Sequence, residues 1–154
     1  MLVRLSEAEV EAARMLGRKR HECSLNRKST RGLMGEDSLD LHTVGAIGEF
    51  AVAKALNLYQ GFTVNNFDGP DIEPDIQVRT TRLKGGRLIM TERDEPFQKY
   101  VLVVGEEPEL DVVGWVWGFE GQEKKWLTDP KNNRPPAYFV PRDALRPIET
   151  LHAC

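Results

Sequence analysis

Polar and apolar positions first alternate at helical spacing. Residues 7–22 (EAEVEAARMLGRKRHE) carry acids in the opening turns and bases in the closing ones, the order a helix dipole favours. Ser6 followed by Glu9 has the spacing of a capping box, so a helix is predicted there. From Cys23 to Asp37 the periodicity lapses and Gly, Ser and Asn accumulate, which predicts a loop that orders on a ligand. The next segment, LDLHTVGAIGEFAVAKALN, is apolar nearly throughout and predicts a largely buried helix, with Asp40 or Thr43 as N-cap and Asn57 as the stop. Short runs rich in β-branched and aromatic residues follow at 62–66, 75–81, 87–91, 99–105, 111–118 and 137–141, and predict strands. Residues 128–137 read as a proline-rich surface loop, and VPRDALRP as a strand end entering a short helical turn. Two helices followed by strands, without strict βαβ alternation, predict an α/β or α+β domain with a mixed sheet.

Composition narrows this picture. A chain of 154 residues, 40% hydrophobic and 29% charged, suits one globular domain burying about two thirds of its unfolded surface. Cys23 and Cys154 lie far apart with no CxxC spacing, which argues against a disulfide framework or a zinc site. No stretch approaches the ~18 apolar residues of a membrane span. The N-terminal MLVRLSEAEVEAARML has acids where a signal peptide needs apolar residues, so a cytoplasmic protein without a membrane partner is expected. The net charge of −3 decides nothing about nucleic acid, because a phosphate backbone responds to local charge density.

Three segments carry candidate chemistry. Glu49 has Gly45, Ala46, Val52, Ala53 and Leu56 as helical neighbours and points some ~140° away from Lys54. A carboxylate in such surroundings is locally hydrated, paired, or bound to a cation. In NNFDGPDIEPDIQVRTTR, Asp68, Asp71, Glu73 and Asp75 fall within eight residues, with Gly69, Pro70 and Pro74 forcing turns. Such a loop either gathers oxygen ligands for a hard cation or is an acidic turn open to solvent. Beyond it, residues 75, 77, 79 and 81 share one polar strand face. Gln77 can offer an amide oxygen to a metal, and Arg79 five fixed donors to a phosphate, though arginine cannot serve as a base; an ordinary surface strand has the same pattern.

Taken in order, GAIGEFAVAKAL, DGPDIEP and IQVRTT resemble the core of the PD-(D/E)XK nuclease superfamily over residues 43 to about 104. The resemblance implies an α/β restriction-endonuclease-like core, a central mixed β-sheet flanked by α-helices. It sets Glu49 as the helix glutamate, Asp71 as the metal-bridging aspartate, Gln77 in the position of the second acid and Arg79 in that of the lysine. It further implies a metal-dependent nuclease, with Mg²⁺ (Mn²⁺ as substitute) at Glu49, Asp71 and Gln77, and with DNA as substrate. Gln77 and Arg79 depart from the pattern and leave the site with fewer negative charges and no amine to shuttle a proton. Asp68 or Asp75 could supply the missing charge, while Asp71 best fits the bend before the strand. The alternative is a catalytically inactive nucleic-acid-binding module that retains the fold. Many nucleases of this fold act as dimers, so a homodimer is compatible, although no segment marks an interface.

Basic residues supply the other half of the expectation. From Arg14 to Arg31 seven Lys/Arg stand against one acid, and from Arg79 to Arg93 five against one. Arg18, Lys19, Arg20, Arg27, Lys28, Arg31, Arg82 and Lys84 are the candidate phosphate contacts, although Arg18, Lys19 and Arg20 also suit the end of a helix dipole. Trp115 and Trp117 either stack bases or fill the core. His21, His42 and His152 have no ligand spacing and read as isolated.

Overall fold

The protein, seen in a computed structural model, is described over residues 1–26, 36–58, 70–72, 74–128 and 135–151. Strand β1 (Leu2–Arg4) leads into α1 (Glu7–Asn26) and α2 (Glu36–Ala55). Then come β2 (Ile76–Thr81), β3 (Leu88–Met90), β4 (Lys99–Glu106), β5 (Glu109–Trp117), the single turn α3 (Gly118–Gly121), β6 (Leu127–Thr128) and β7 (Ala137–Val140). The capping box at the start of α1 is formed: the Glu9 carboxylate accepts from the Ser6 N–H at 2.6 Å, and the Glu9 N–H donates to the Ser6 hydroxyl at 3.2 Å.

Both ends of the segment read as a loop at 23–37 are helical, since α1 runs on to Asn26 and α2 begins at Glu36; residues 27–35 lie outside those described. Asp40 and Thr43 therefore sit inside α2 and not at its start. Thr43 turns its hydroxyl back to the Leu39 carbonyl at 2.9 Å, and Asp40 is held by Arg82, so neither side chain is left to cap. Asn57 does stop the helix, in the left-handed conformation (φ 53°) that asparagine tolerates better than most residues. The strand expected at 62–66 and most of the 128–137 loop fall outside the described residues, while the turn after β7 is present as a 3₁₀ turn at Arg142–Ala144.

A four-stranded sheet in the order β1-β5-β4-β2 is mixed: β2 runs parallel to β4, and the other pairs are antiparallel. A second, antiparallel sheet has the order β3-β7-β6. Helix α2 lies across one face of the first sheet and α1 packs on α2, so α2 is enclosed on two sides, as its nearly unbroken apolar sequence requires. The opposite face is covered by the second sheet through Leu88, Met90, Tyr138 and Val140 against Tyr100, Leu102, Val104 and Val116. This explains the continuous run YVLVV in β4, because a strand covered on both faces loses its alternation. Each such side chain taken fully from water contributes ~1.5–3 kcal/mol. The expected mixed sheet is present in an α/β arrangement, but the long helices occupy one face only and a second sheet takes the place of helices on the other. No described helix is long and apolar enough to cross a membrane.

Candidate metal and phosphate site

Two close approaches set the position of Glu49. Gly17 lets α1 settle on α2: a Cβ there would meet the Thr43 Cα at 2.7 Å. Gly48 lets α2 settle on β2, since its Cβ would fall 1.8 Å from the Thr80 hydroxyl oxygen and 3.0 Å from the Thr80 Cβ. Between these contacts Glu49 is 3% exposed. Arg20, one turn beyond Gly17, donates to both of its oxygens, at 2.5 and 2.8 Å, in a fork geometry only arginine provides.

Asp71 opens a hairpin in which Ile72 and Ile76 exchange both backbone hydrogen bonds at 3.0 Å. The hairpin lies on the outer edge of β2, and the Asp71 carboxylate accepts from the Val78 N–H at 2.7 Å, satisfying an edge donor. Asp75, at the turn, faces away to Lys99 at 3.0 Å, so of the two acids among the described residues it is Asp71 that reaches the strand edge. Asp68 and Glu73 lie outside the described residues.

Burial pushes Glu49 up to about 6; the hydrogen bonds from Arg20 oppose the rise, and the negative charge of Asp71 adds to it. Burial also raises Asp71, against the Val78 N–H and the charges of Arg79 and Arg20. The two carboxylates and Arg20 thus lie within electrostatic reach of one another. Arg20, which burial alone would lower, is raised by its bonds to Glu49 and by the charges of Glu49 and Asp71.

Gln77 and Arg79 project from the other face of the sheet. Parallel pairing sets Gln77 opposite Tyr100 and Arg79 opposite Leu102, both within the cluster beneath the second sheet, whereas Ile76 and Val78 join Val101 and Val103 under α2. The strand face read as polar and free is therefore half covered, and the structure does not gather Gln77 with Glu49. Arg79 donates to Asp94 at 3.1 Å and lies 5.4 Å from the centre of the Tyr100 ring. Burial, followed by the charge of Asp94, lifts the Tyr100 hydroxyl to about 12. Asp94 also accepts from the Thr91 N–H at 2.8 Å, and the Gln122 amide braces this turn by donating to the carbonyls of Thr91 and Asp94 at 2.9 and 2.8 Å. Neither Asp94 nor Gln122 was marked by any motif.

Most of the basic candidates described have carboxylate partners. Arg18 pairs with Glu11 and Lys19 with Glu22, both at 3.1 Å, and Arg82 with Asp40 at 2.5 Å. Such exposed pairs are worth ~0–1 kcal/mol, so a phosphate can displace them at little cost. Arg27, Lys28, Arg31 and His152 lie outside the described residues. His21 and His42, which read as isolated, have ring centres 6.0 Å apart across the helix pair, and burial, then the charges of His21 and Arg20, lower His42. Trp115 is core: it is 7% exposed and its indole N–H donates to the Thr150 hydroxyl at 3.0 Å. Trp117 is half-buried, edge-on to Trp115 at 5.8 Å and stacked on Phe119 at 6.3 Å.

The donor set fits a hard cation. Magnesium needs one or two carboxylates and keeps several waters, and Glu49 and Asp71 supply two carboxylates. Among the described residues no group of three or more His, Cys, Asp or Glu is placed to hold a metal ion. No family model, curated protein or solved structure matches this chain.

Proposed function

We propose that the chain is a metal-dependent phosphodiesterase acting on DNA, built on a restriction-endonuclease-like core. The observation that carries this reading is the pair of buried carboxylates, Glu49 from a helix and Asp71 from a strand-edge hairpin, both raised by burial and within reach of the charge of Arg20. Excess negative charge held out of water at a strand edge is what a divalent cation relieves.

Glu49 and Asp71 would hold the ion, with Gln77 able to join only from the far face of β2. When bound, Mg²⁺ or Mn²⁺ polarises the scissile phosphate and lowers the pKa of an attacking water. Arg20 fixes the rotamer of Glu49 and offsets part of its charge. Arg79, oriented by Asp94, offers its remaining N–H groups to phosphate oxygens and takes no part in proton transfer, because a guanidinium does not deprotonate.

A second reading, a module that binds DNA without cutting it, is favoured by the occupation of both Glu49 oxygens by Arg20 and of Arg79 by Asp94. Titrating Mg²⁺ and Mn²⁺ against single-stranded and duplex DNA separates the two. Cleavage by wild type that falls at least a hundredfold in Glu49→Gln and Asp71→Asn supports the enzyme, whereas binding without cleavage under either metal supports the module.

A further inference from the structure

We infer that the cleft between the edge strands β2 and β3 is a phosphate-binding site, distinct from the Glu49–Asp71 pair. It has a volume of about 320 Å³ and is lined by Arg79, Thr81, Arg87 and Thr91, with Ile89 and Leu102 as apolar wall. That is the low end of the range for small-ligand pockets, enough for a phosphate with an attached sugar.

The charges in this cleft do not cancel. Asp94, the acid on its wall, is neutralised by Arg79 and by the Thr91 N–H. Arg87, like Arg93 and Arg142, has no carboxylate partner among the described residues, whereas Arg4, Arg14, Arg18, Arg20, Arg79, Arg82 and Arg146 do. The turn before Arg87 is held in place by Arg142, whose guanidinium donates to the carbonyls of Gly86 at 3.1 Å and of Lys84. The backbone turn that carries Arg87 is thus anchored, while the Arg87 side chain itself is exposed where it lines the cleft. Thr81 accepts from the Leu83 N–H at 3.2 Å and keeps its hydroxyl proton to donate. Both β2 and β3 are the outermost strands of their sheets, so the cleft opens at a sheet edge, although the outward N–H groups of Ile76 and Val78 are taken by Ile72 and Asp71. Two guanidiniums and threonine hydroxyls around a largely apolar cleft suit a phosphate bearing a carbon substituent better than a bare carboxylate.

Arg79 belongs to both places: it lines the cleft, and its charge acts on Asp71 at the strand edge. In a polynucleotide the cleft would take a phosphate beside the scissile one. That assignment rests on the proposed function, whereas the phosphate site itself does not.

The test is an NMR titration of wild type with inorganic phosphate, with adenosine 5′-monophosphate, and with a short single-stranded oligonucleotide in the absence of divalent metal. Phosphate and the monophosphate are expected to move the Thr81 and Thr91 amide signals and the Arg87 guanidinium signal. Arg87→Gln should weaken the monophosphate about tenfold, while Arg93→Gln, a change at an exposed arginine outside the cleft, should not. For the oligonucleotide, Arg87→Gln should reduce the slope of log K against log salt by about one, the signature of one lost phosphate contact. If phosphate and the monophosphate leave these signals unmoved in wild type, the phosphate site is wrong, however DNA behaves. If they bind but the oligonucleotide slope is unchanged in Arg87→Gln, the site takes free phosphates and its assignment to a polynucleotide is overturned. A reduced slope in a protein that cuts no DNA under any metal upholds the cleft and sinks the catalytic proposal alone.

Discussion

Arg20 holds both carboxylate oxygens of Glu49 from 29 positions away in sequence, yet Glu49 is harder to ionise than an exposed glutamate. Burial sets that balance, and Asp71, the second carboxylate within reach of the same guanidinium, tips it further. The two buried carboxylates share the charge of Arg20, and that of Arg79 also reaches Asp71.

Arg20→Ala should lose about 3 kcal/mol of folding stability near neutral pH, because it strands a buried carboxylate. Arg20→Lys should lose less, about 1–2 kcal/mol, since the charge stays and the fork is lost. Urea unfolding measures both. Equal losses would mean that the two-point geometry is irrelevant.

The pH dependence has a definite sign. Burial in the fold raises Glu49 from its ordinary 4.5 to about 6, so the native state holds the proton more tightly than the unfolded chain. Its protonated form thus contributes stability that is fully present below 4.5 and lost as the pH rises through 6, by about 2 kcal/mol. Burial moves Asp71 in the same direction. Glu9, Asp40 and Glu120 are lowered instead, chiefly by hydrogen bonds from Lys54, Arg82 and Arg146, and act in the opposite sense at more acid pH. Unfolding free energy against pH should therefore fall between pH 4.5 and 6 in wild type, and Glu49→Gln should flatten that interval.

Asp71→Asn keeps an oxygen to accept from the Val78 N–H while removing a charge. Stability at neutral pH should change by less than about 1 kcal/mol, and Glu49 should titrate closer to its ordinary value. A loss above about 2 kcal/mol would show that the Asp71 charge is needed for folding. Addition of Mg²⁺ should raise the melting temperature of wild type, as any ligand of the native state does, and leave that of Asp71→Asn unmoved.

Much of this arrangement is legible in the sequence. The strands β2, β3, β4, β5 and β7 and both long helices are visible in apolar spacing and β-branched content, and Glu49 stands out by its small and apolar neighbours. The strands β1 and β6, three and two residues long, are too short to carry a period. Asp40 and Thr43 misplaced the start of α2 because a capping residue and a mid-helix residue with another partner look alike in one dimension. Arg20 looked like a complement to its helix dipole because its carboxylate lies on a different helix. The face of Gln77 and Arg79 looked open because its cover is the second sheet, whose strands come later in the chain. Long-range pairings of this kind leave no local pattern, which is also why the approach of His21 to His42 was missed.

Gly48→Ala should cost about 1–3 kcal/mol, since the added methyl meets Thr80 at distances real contacts do not show. Combining it with Thr80→Ala should recover part of the loss, and chemical denaturation of the four proteins gives the coupling. Independent, additive losses would mean that the helix and strand are not in contact there.

The central proposal is that Glu49 and Asp71 together hold a divalent cation. It is tested most directly by following the Glu49 side-chain carboxyl signal by ¹³C NMR against pH, with and without Mg²⁺, in wild type and Asp71→Asn. The account predicts a midpoint near 6 without metal, a midpoint displaced downward by Mg²⁺, and no displacement in the variant. A wild-type midpoint that is the same with and without Mg²⁺ would contradict it.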